Sequence, residues 1–372
     1  MKIAALTSVS GPYIVARYSE FSMGLPEHEI YLIEFGKVSL TYQWNPVVAE
    51  FPYKQIILSE QASESQKITY LISSLIRELN HLKPDVLVIA GYASFGMLSA
   101  LLWALWNQRT TVLLSETTEA DSPRSPYKEW IKRLLVRRYR AALVGGQPQK
   151  RYLIQLGMPE QAITLGYDVV GNEAFHPTQI QHLSRSLPRP YFLTINRFIQ
   201  KKNLPFVVDA YAAYREAVGD AAWDLVLCGD GILLPQLKQQ IHTLGLEQHI
   251  HLPGFLQQHE LLPYFAHADC FIHASTHEQW GLVVNEAMAS GLPVLVSNRC
   301  GCYEDLILEG VNGFGFDSYN QQQLTNLMIK MSSGAVDLQT MGQASLQHIQ
   351  KYSPAYFAQG LKQAIDYALA HS

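Results

Sequence analysis

The sequence has 372 residues, with little cysteine, no marked excess of charge of either sign and no bilayer-length apolar run. Its formal net charge of -4 argues against a nucleic-acid partner. The apolar stretch Phe95–Trp106 is too short to cross a bilayer. The first residues lack the apolar core and cleavage site of a signal peptide. We therefore expect a cytoplasmic protein.

A metal site is also not expected. Of the four cysteines, Cys228 and Cys270 lie in apolar runs that are typical of buried, reduced thiols. Cys300 and Cys302 form a single Cys-x-Cys, but no second Cys/His pair follows at ligand spacing, so the zinc interpretation is weak. Asp-x-Asp, a carboxylate arrangement suited to a divalent ion, does not occur in the sequence.

Two halves of the chain alternate strand and helix patterns, and the length favours two domains. Ile68–Leu82 has helical spacing, and Asp85–Ala90 is an apolar run typical of a strand buried in a parallel sheet. The pattern restarts at Tyr191–Ile195, after a segment at Gly166–Gln181 with few periodic apolar positions. The sequence therefore predicts an α/β protein with two doubly wound, Rossmann-like domains.

The most informative segment, Ala274–Val294, follows an apolar strand and opens a helix. Glu278 lies on the loop, and Glu286 lies about two turns into the helix. Gly281 allows close approach of a ligand to the backbone. The backbone N–H groups at the helix N-terminus are expected to bind a diphosphate. These are the N–H groups of Trp280, Gly281 and Leu282. The plainer alternative is that both glutamates are solvated helix-end acids.

This segment resembles the retaining family-four glycosyltransferases of the GT-B fold (glycosyl transferases group 1). They carry Glu, seven residues and Glu in this setting, followed by Ala-Met-Ala-x-Gly-x-Pro-Val, and this sequence matches without a gap. The resemblance implies that Glu278 contacts donor-sugar hydroxyls and Glu286 the nucleotide ribose. It also implies two domains facing across a cleft, with the last helix crossing back to the first domain. We assign residues 1–172 and 354–372 to the N-terminal, acceptor-side domain, and residues 173–353 to the C-terminal, nucleotide-sugar-binding domain.

Further donor contacts come from the same resemblance. Arg197 and Lys202, in the segment Asn196–Asn203, match the cations that hold the donor diphosphate. Fixed cations stabilise the charge that builds on the leaving phosphate. Taken alone, the segment would be a basic surface loop. The remaining donor candidates lie at Gly-containing turns, whose alternative is a plain structural turn: Gly11, Gly229, Gly231, Phe255 and Leu256.

The first half departs from the family pattern. Its opening loop has only Gly11 where relatives usually have two glycines, and Ala90–Ser94 lacks the family's histidine. The loop Ser115–Arg124 is either an acceptor-binding loop or a structural one in which Asp121 pairs with Arg124. The acceptor-side candidates are Tyr13, Tyr92, Glu116, Asp121 and Arg124.

Lys128–Arg140 is predicted to be a basic amphipathic helix with six basic residues. A solvated face over a core is the preferred interpretation. Peripheral membrane contact, or contact with a negatively charged acceptor, is the alternative.

Taken together, these features predict a metal-independent, retaining hexosyltransferase without a cofactor. The donor is most simply UDP-glucose, with GDP-mannose as the alternative, and the acceptor is a hydroxyl of a polysaccharide, lipid or small metabolite. A nucleotide-sugar epimerase of the same architecture and a non-catalytic nucleotide-sugar-binding subunit are the rival functions. The second rival predicts loss of Glu278, Arg197 or Lys202, yet all three are present.

Overall fold

The computed structural model describes residues 1–40, 50–121 and 125–371. Arg124, an acceptor-side candidate, lies outside the described residues. The chain divides into two compact units, which are Met1–Gly171 with Tyr352–Ser372 and Asn172–Lys351. These limits differ by one or two residues from the domain limits proposed from the sequence.

The N-terminal unit contains a parallel sheet in the order β3-β2-β1-β4-β5-β6-β7. Its strands are β1 (Lys2–Thr7), β2 (Glu29–Glu34), β3 (Lys54–Ile57), β4 (Val86–Ala90), β5 (Thr110–Ser115), β6 (Ala141–Val144) and β7 (Ile163–Leu165). Its helices are α1 (Pro12–Met23), α2 (Ile68–Leu82), α3 (Phe95–Trp106), α4 (Pro126–Val136) and α5 (Gln147–Gln155). The continuous apolar strands are buried because helices cover both faces of the sheet.

One face of this sheet packs against α2, α3 and α5, while the other packs against α1 and the last helix of the chain. That helix spans Pro354–Ala370 and is numbered α14 below. The Thr164 hydroxyl donates to the Gly360 carbonyl at 2.9 Å, and a Cβ at Gly360 would lie 2.2 Å from the Leu165 carbonyl oxygen. Glycine thus lets the helix approach β7 closely, and the predicted return of the chain to the first domain is confirmed.

The C-terminal unit contains a second parallel sheet, in the order β10-β9-β8-β11-β12-β13. Its strands are β8 (Tyr191–Ile195), β9 (Asp224–Cys228), β10 (Ile250–Gly254), β11 (Cys270–His273), β12 (Val294–Ser297) and β13 (Gly313–Phe316). Its helices are α6 (Pro177–Ile180), α7 (Leu204–Val218), α8 (Leu234–Thr243), α9 (Gln258–His267), α10 (Leu282–Ala289), α11 (Tyr303–Leu306), α12 (Gln321–Ser332) and α13 (Leu338–Ile349). The predicted α/β class with two doubly wound sheets is confirmed.

Two local expectations were wrong. Tyr13 lies in the first turn of α1 and not in a loop, because Pro12 occupies a helix-starting position after the extended Gly11. The basic helix ends at Val136, not at Arg140. The chain then turns through Arg138 and buried Tyr139 to enter β6.

Candidate functional site

A polar cluster lies in the C-terminal unit at the carboxyl ends of three neighbouring strands, β8, β11 and β12. Ligands of open parallel sheets bind at this edge. The segments that leave these strands are joined by backbone hydrogen bonds. The Thr276 N–H donates to the Lys201 carbonyl at 2.8 Å, and the Gly301 N–H donates to the Glu278 carbonyl at 2.9 Å. Side chains that are distant in the sequence therefore meet at one place.

Glu278 is the centre of this cluster and pairs with two lysines. Its Oε1 lies 3.1 Å from the Lys201 Nζ, and its Oε2 accepts a hydrogen bond from the Lys202 Nζ. The Glu278 side chain is only 12% exposed, so these ion pairs are largely shielded from water. Two of the predicted catalytic residues, Glu278 and Lys202, are thus brought into direct contact.

His273 and Ser275 line the inner side of Glu278. The Ser275 hydroxyl donates to the Glu278 Oε2 at 3.3 Å and lies 3.3 Å from the His273 Nε2. The His273 Nε2 is 3.8 Å from the same Glu278 oxygen, and the His273 ring is fully buried. These two residues approach the same carboxylate oxygen as Lys202 and restrict its position.

The cluster shifts the pKa values of its own members. Burial raises the pKa of Glu278, but Lys202, His273 and Lys201 outweigh this effect. The net result is a pKa lowered from 4.5 to about 2. Burial, followed by the charge of Lys202, lowers the pKa of His273 to about 3. At neutral pH His273 is therefore an uncharged ring beside an ionised Glu278.

The N-terminus of α10 opens next to this cluster. Gly281, in the left-handed region with a φ of 107°, immediately precedes the helix, and a Cβ there would lie 3.3 Å from the His273 Nε2. The first N–H groups of a helix have no intrahelical acceptor and carry partial positive charge, and Leu282 begins this helix. An anion at this position would meet both these groups and the lysines.

The side chains of Trp280 and Glu286 are both buried. The Trp280 side chain is buried and donates from Nε1 to the Asn285 Oδ1 at 2.9 Å, so only its backbone is suited to donor contact. Glu286, on α10, is 5% exposed. The alternative that both glutamates are solvated helix-end acids is therefore wrong, because Glu278 is paired and Glu286 is buried.

Gly229 and Gly231 have a structural reason to be glycine. Both have φ in the left-handed range, and a Cβ at Gly229 would lie 1.8 Å from the Asn196 carbonyl oxygen. A Cβ at Gly231 would lie 2.6 Å from the Phe198 carbonyl oxygen. These glycines let the loop after β9 pack on the loop that carries Arg197, whose side chain is exposed.

The turn that follows β10 remains a candidate for contact with the nucleotide base. Phe255 is exposed and Leu256 is half-buried, directly after Gly254 with its φ of 88°. The carboxyl ends of β9 and β10 are neighbours in the sheet. This turn therefore lies at the same sheet edge as the Glu278 cluster.

In the N-terminal unit, the acceptor-side candidates also lie at the carboxyl ends of strands. Tyr13 follows β1, as does the donor candidate Gly11, while Tyr92 follows β4 and Glu116 follows β5. Burial raises the pKa of half-buried Tyr92 to about 12. Asp121 has a local structural role, because its two carboxylate oxygens accept hydrogen bonds from the Thr118 N–H at 2.9 Å and the Thr118 hydroxyl at 2.7 Å.

Helix α4 does not simply cover a core. Lys132 donates to Tyr152 at 2.7 Å and to Glu129 at 3.0 Å, which ties the helix to α5. Trp130 is 57% exposed and stacks on exposed Tyr127. The preferred interpretation of a solvated polar face is therefore incomplete, because aromatic side chains share the exposed face with the basic ones.

Three members of the cluster, Lys201, His273 and Ser275, were not singled out by the sequence. A signal existed for His273, which is a polar residue at the carboxyl end of the apolar strand β11. Lys201 stood beside the chosen Lys202. The short 3-10 turn Gln200–Lys202, followed by Asn203 with a φ of 57°, directs both lysines to Glu278.

The cluster has the chemistry of an anion site with an adjacent hydrogen-bond acceptor. Two ammonium groups face one carboxylate and a neutral histidine, which leaves a net positive charge beside the N-terminus of α10. The Glu278 carboxylate can accept hydrogen bonds from hydroxyl groups. Within residues 1–40, 50–121 and 125–371, no group of three or more His, Cys, Asp or Glu side chains is placed to hold a metal ion.

Comparisons with known proteins show which proteins the chain is similar to. The family described as glycosyl transferases group 1 matches residues 176–348. The amylovoran biosynthesis glycosyltransferase AmsK of Erwinia amylovora is 30% identical over 193 residues, which are 50% of this chain and 46% of that protein. An alpha-monoglucosyldiacylglycerol synthase of Acholeplasma laidlawii is 22% identical over 81% of this chain and 79% of its own length.

Solved structures confirm the GT-B architecture. Anabaena Alr3699/HepE, in complex with UDP and glucose, is 19% identical with a TM-score of 0.77 and covers 98% of this chain and 99% of its own. The alignments with three curated relatives, among them AmsK, span only 32%, 46% and 23% of those proteins. Whole-chain likeness therefore establishes the fold, and the family match is concentrated in the C-terminal unit.

Proposed function

Because residues 176–348 match the family described as glycosyl transferases group 1, we propose that this chain is a retaining, metal-independent hexosyltransferase. The proposed donor is UDP-glucose and the acceptor is a hydroxyl of a polysaccharide, lipid or small metabolite. The observation that carries this proposal is the pairing of Lys201 and Lys202 with Glu278 beside the N-terminus of α10.

In this proposal the donor diphosphate replaces Glu278 as the ion-pair partner of Lys201 and Lys202. The ammonium groups and the first N–H groups of α10 stabilise the negative charge that grows on the leaving phosphate. Glu278, released from its ion pairs, accepts hydrogen bonds from the donor-sugar hydroxyls. Glu286 contacts the ribose, and exposed Arg197 adds a cation to the diphosphate. The acceptor attacks the face from which the diphosphate leaves, and its proton passes to that phosphate.

Two considerations support the choice of donor and the absence of a metal. A structural neighbour is described as a complex with UDP and glucose, which favours a uridine nucleotide and a glucosyl group. Lysines supply the charge that a divalent ion would otherwise provide, and Asp-x-Asp is absent from the sequence.

A thermal-melt panel tests the donor class. UDP and UDP-glucose are expected to raise the melting temperature, and GDP and ADP to raise it less, because a ligand that binds only the folded state stabilises it. The shift should persist in a chelator. A larger shift with GDP-mannose would contradict the donor assignment, and a shift abolished by the chelator would contradict metal independence. Release of UDP, rather than formation of an isomerised UDP-sugar, distinguishes transfer from epimerisation.

We further propose that the N-terminal unit binds an anionic membrane surface through α4. Tyr127, Trp130 and Leu134 recur at helical spacing on its exposed face. Exposed basic residues flank them, namely Lys128, Arg133, Arg137, Arg138 and Arg140. Exposed aromatic side chains with nearby cations are typical of interfacial helices.

Helix α3, which packs on the same sheet face as α4's Val136, also carries exposed apolar side chains. Its Trp106 is 88% exposed, and Phe95 and Leu102 are exposed at helical spacing. The Acholeplasma relative is named for a diacylglycerol product, which supports a lipid-facing role. Every helix in the described part of the chain is too short or too polar to cross a bilayer.

Vesicle co-sedimentation tests the membrane proposal. Vesicles with phosphatidylglycerol should sediment the protein, pure phosphatidylcholine vesicles should not, and added salt should weaken binding. The double variant Lys128→Glu/Arg133→Glu should lose binding. The control Lys238→Glu/Lys351→Glu makes the same charge change at exposed sites of the C-terminal unit and should retain it. Equal loss of vesicle binding in both double variants would show that binding depends on net charge alone and would contradict the proposal.

A further inference from the structure

His273 lies beside Glu278 but has no part in the transfer proposed above. It is the last residue of β11, and its side chain is fully buried. Its ring lies nearly parallel to the Phe271 ring, with 6.4 Å between the ring centroids and 13° between the ring planes. A Cβ at Gly281 would lie only 3.3 Å from the His273 Nε2. The ring is therefore closely packed, and its Nε2 faces the loop from Glu278 to Gly281.

Ser275 bridges His273 and Glu278. The His273 Nε2 is 3.8 Å from the Glu278 Oε2, which is beyond direct hydrogen-bond distance. The Ser275 Oγ lies 3.3 Å from each of these two atoms. Ser275 is fully buried, so its hydroxyl is shielded from bulk water. A hydrogen-bonded path from the ring to the carboxylate therefore runs through the serine hydroxyl.

The direction of these hydrogen bonds follows from the charge of Glu278. Burial raises the pKa of Glu278, but Lys202 and the other members of the cluster lower it to about 2, so at neutral pH the carboxylate is ionised. An ionised carboxylate only accepts hydrogen bonds. The single proton of the Ser275 hydroxyl is therefore directed to Glu278, and the Ser275 Oγ is left as an acceptor for His273.

The ring proton of His273 then lies on Nε2. Burial, followed by the charge of Lys202, lowers the pKa of His273 to about 3, so at neutral pH the ring carries one proton. The hydrogen bond that each nitrogen makes decides which of them holds it. Nε2 has the Ser275 Oγ as an acceptor, whereas Nδ1 has no hydrogen-bond partner within the described part of the chain.

This path matters once the donor diphosphate has replaced Glu278 as the partner of the lysines. Without substrate, Lys201 contacts the Glu278 Oε1 and Lys202 contacts the Oε2. After both lysines have moved to the diphosphate, the Ser275 hydroxyl still donates to Oε2. Oε1 is then the oxygen left to accept a hydrogen bond from the donor sugar.

We propose that His273 is a positioning residue, whose Nε2–H orients the Ser275 hydroxyl and so fixes the Glu278 Oε2 while Oε1 accepts a hydrogen bond from the donor sugar. This role rests on the proposed transferase function. The position of the ring proton does not, so the two can be tested separately.

The ring nitrogens of His273 are measured by ¹⁵N–¹H correlation spectra of the labelled protein at neutral pH. The sequence has 13 histidines, and the signals that are missing from His273→Gln identify this ring. We expect an uncharged ring with a protonated Nε2 and an unprotonated Nδ1. An uncharged ring with its proton on Nδ1 would mean that Ser275 donates to His273 instead of Glu278, and would overturn the proposal.

Two amide substitutions separate the two ring nitrogens in a turnover assay. The NH2 group of a glutamine can reach the position of Nε2, whereas that of the shorter asparagine reaches only the position of Nδ1. Release of UDP from UDP-glucose, with water as the acceptor, should fall roughly tenfold in His273→Asn, because a hydrogen bond that positions a reacting group is lost. The loss should be clearly smaller in His273→Gln. Equal losses in the two variants would overturn the role of the Nε2–H.

Ser275→Ala removes the bridge with little change in volume and should also lose roughly tenfold of turnover. UDP affinity, measured by isothermal titration, should stay at the wild-type value, because UDP lacks the transferred glucosyl group. Ser345→Ala is the matched control and should change neither quantity. It makes the same substitution at a fully buried serine of α13, whose hydroxyl donates to the Asn312 carbonyl at 3.1 Å.

Two results with these serine variants would overturn the positioning role. One is equal turnover of Ser275→Ala and Ser345→Ala. The other is a loss of UDP affinity in Ser275→Ala as large as its loss of turnover, which would indicate a disrupted site. If the wild type releases no UDP from UDP-glucose, the proposed function fails together with the positioning role, while the ring spectrum still decides which nitrogen of His273 is protonated.

Discussion

Alanine in place of Lys202 is expected to lower the turnover of UDP-glucose by roughly 10²- to 10³-fold, the effect of removing one preorganised group from a developing negative charge. Lys202 is buried and donates a hydrogen bond to Glu278. Its ammonium is therefore held in a site where little water can take its place. UDP release under saturating donor measures the effect.

The fold should survive this change. Removing one partner of a buried pair is usually costly because it leaves an uncompensated charge. Here Lys201 and the Ser275 hydroxyl still contact the Glu278 carboxylate. Far-UV circular dichroism should therefore match the wild type. Lys201→Ala, which removes the more exposed lysine, is the matched control and should cost less turnover. Wild-type turnover in Lys202→Ala would remove this residue from the site.

Glu278→Gln is expected to have opposite effects on turnover and on UDP binding. Turnover should fall by roughly 10- to 100-fold, because a charged acceptor of hydroxyl hydrogen bonds is replaced by a neutral one. UDP should bind about tenfold more tightly, which corresponds to ~1.4 kcal/mol of binding free energy. The reason is that the carboxylate competes with the diphosphate for Lys201 and Lys202. Isothermal titration with UDP and a turnover assay measure the two effects.

The exposed Glu216→Gln on α7 is the control for Glu278→Gln and should change neither quantity. Acid stability gives a second check. Because the pKa of Glu278 is lowered to about 2 in the folded protein, its stabilisation is present above 4.5 and is lost as pH falls from 4.5 toward 2. Glu278→Gln should lose less stability over that range. Weaker UDP binding by this variant would contradict the proposed competition.

The family block from Glu278 to Glu286 could be recognised in the sequence because it is continuous in the chain. Local sequence patterns were sufficient to predict this block, since a strand, a glycine turn and a helix N-terminus follow one another in the chain and need no contacts with distant residues. The contacts of Glu278 with Lys202 cross 76 residues, and only the resemblance suggested that these two belong together. His273 was missed because its position at a strand end acquires meaning only when β8 and β11 become neighbours.

Local patterns also failed where the tertiary environment decides exposure. Trp130 and Leu134 look like core residues in a periodic pattern, yet they face outward on α4. Gly229 and Gly231 resemble ligand-binding glycines, yet the Asn196 and Phe198 carbonyls already require them. Periodicity reports which residues share a face but not what covers that face.

The sequence by itself determined the α/β class, the group 1 block and the absence of Asp-x-Asp, because these depend on neighbouring residues in the chain. Only the tertiary structure decided that Lys201, Lys202 and His273 lie around one glutamate, Glu278. These are encounters between the ends of separate strands. In a parallel sheet they depend on strand order, and strand order is set by how the whole core packs.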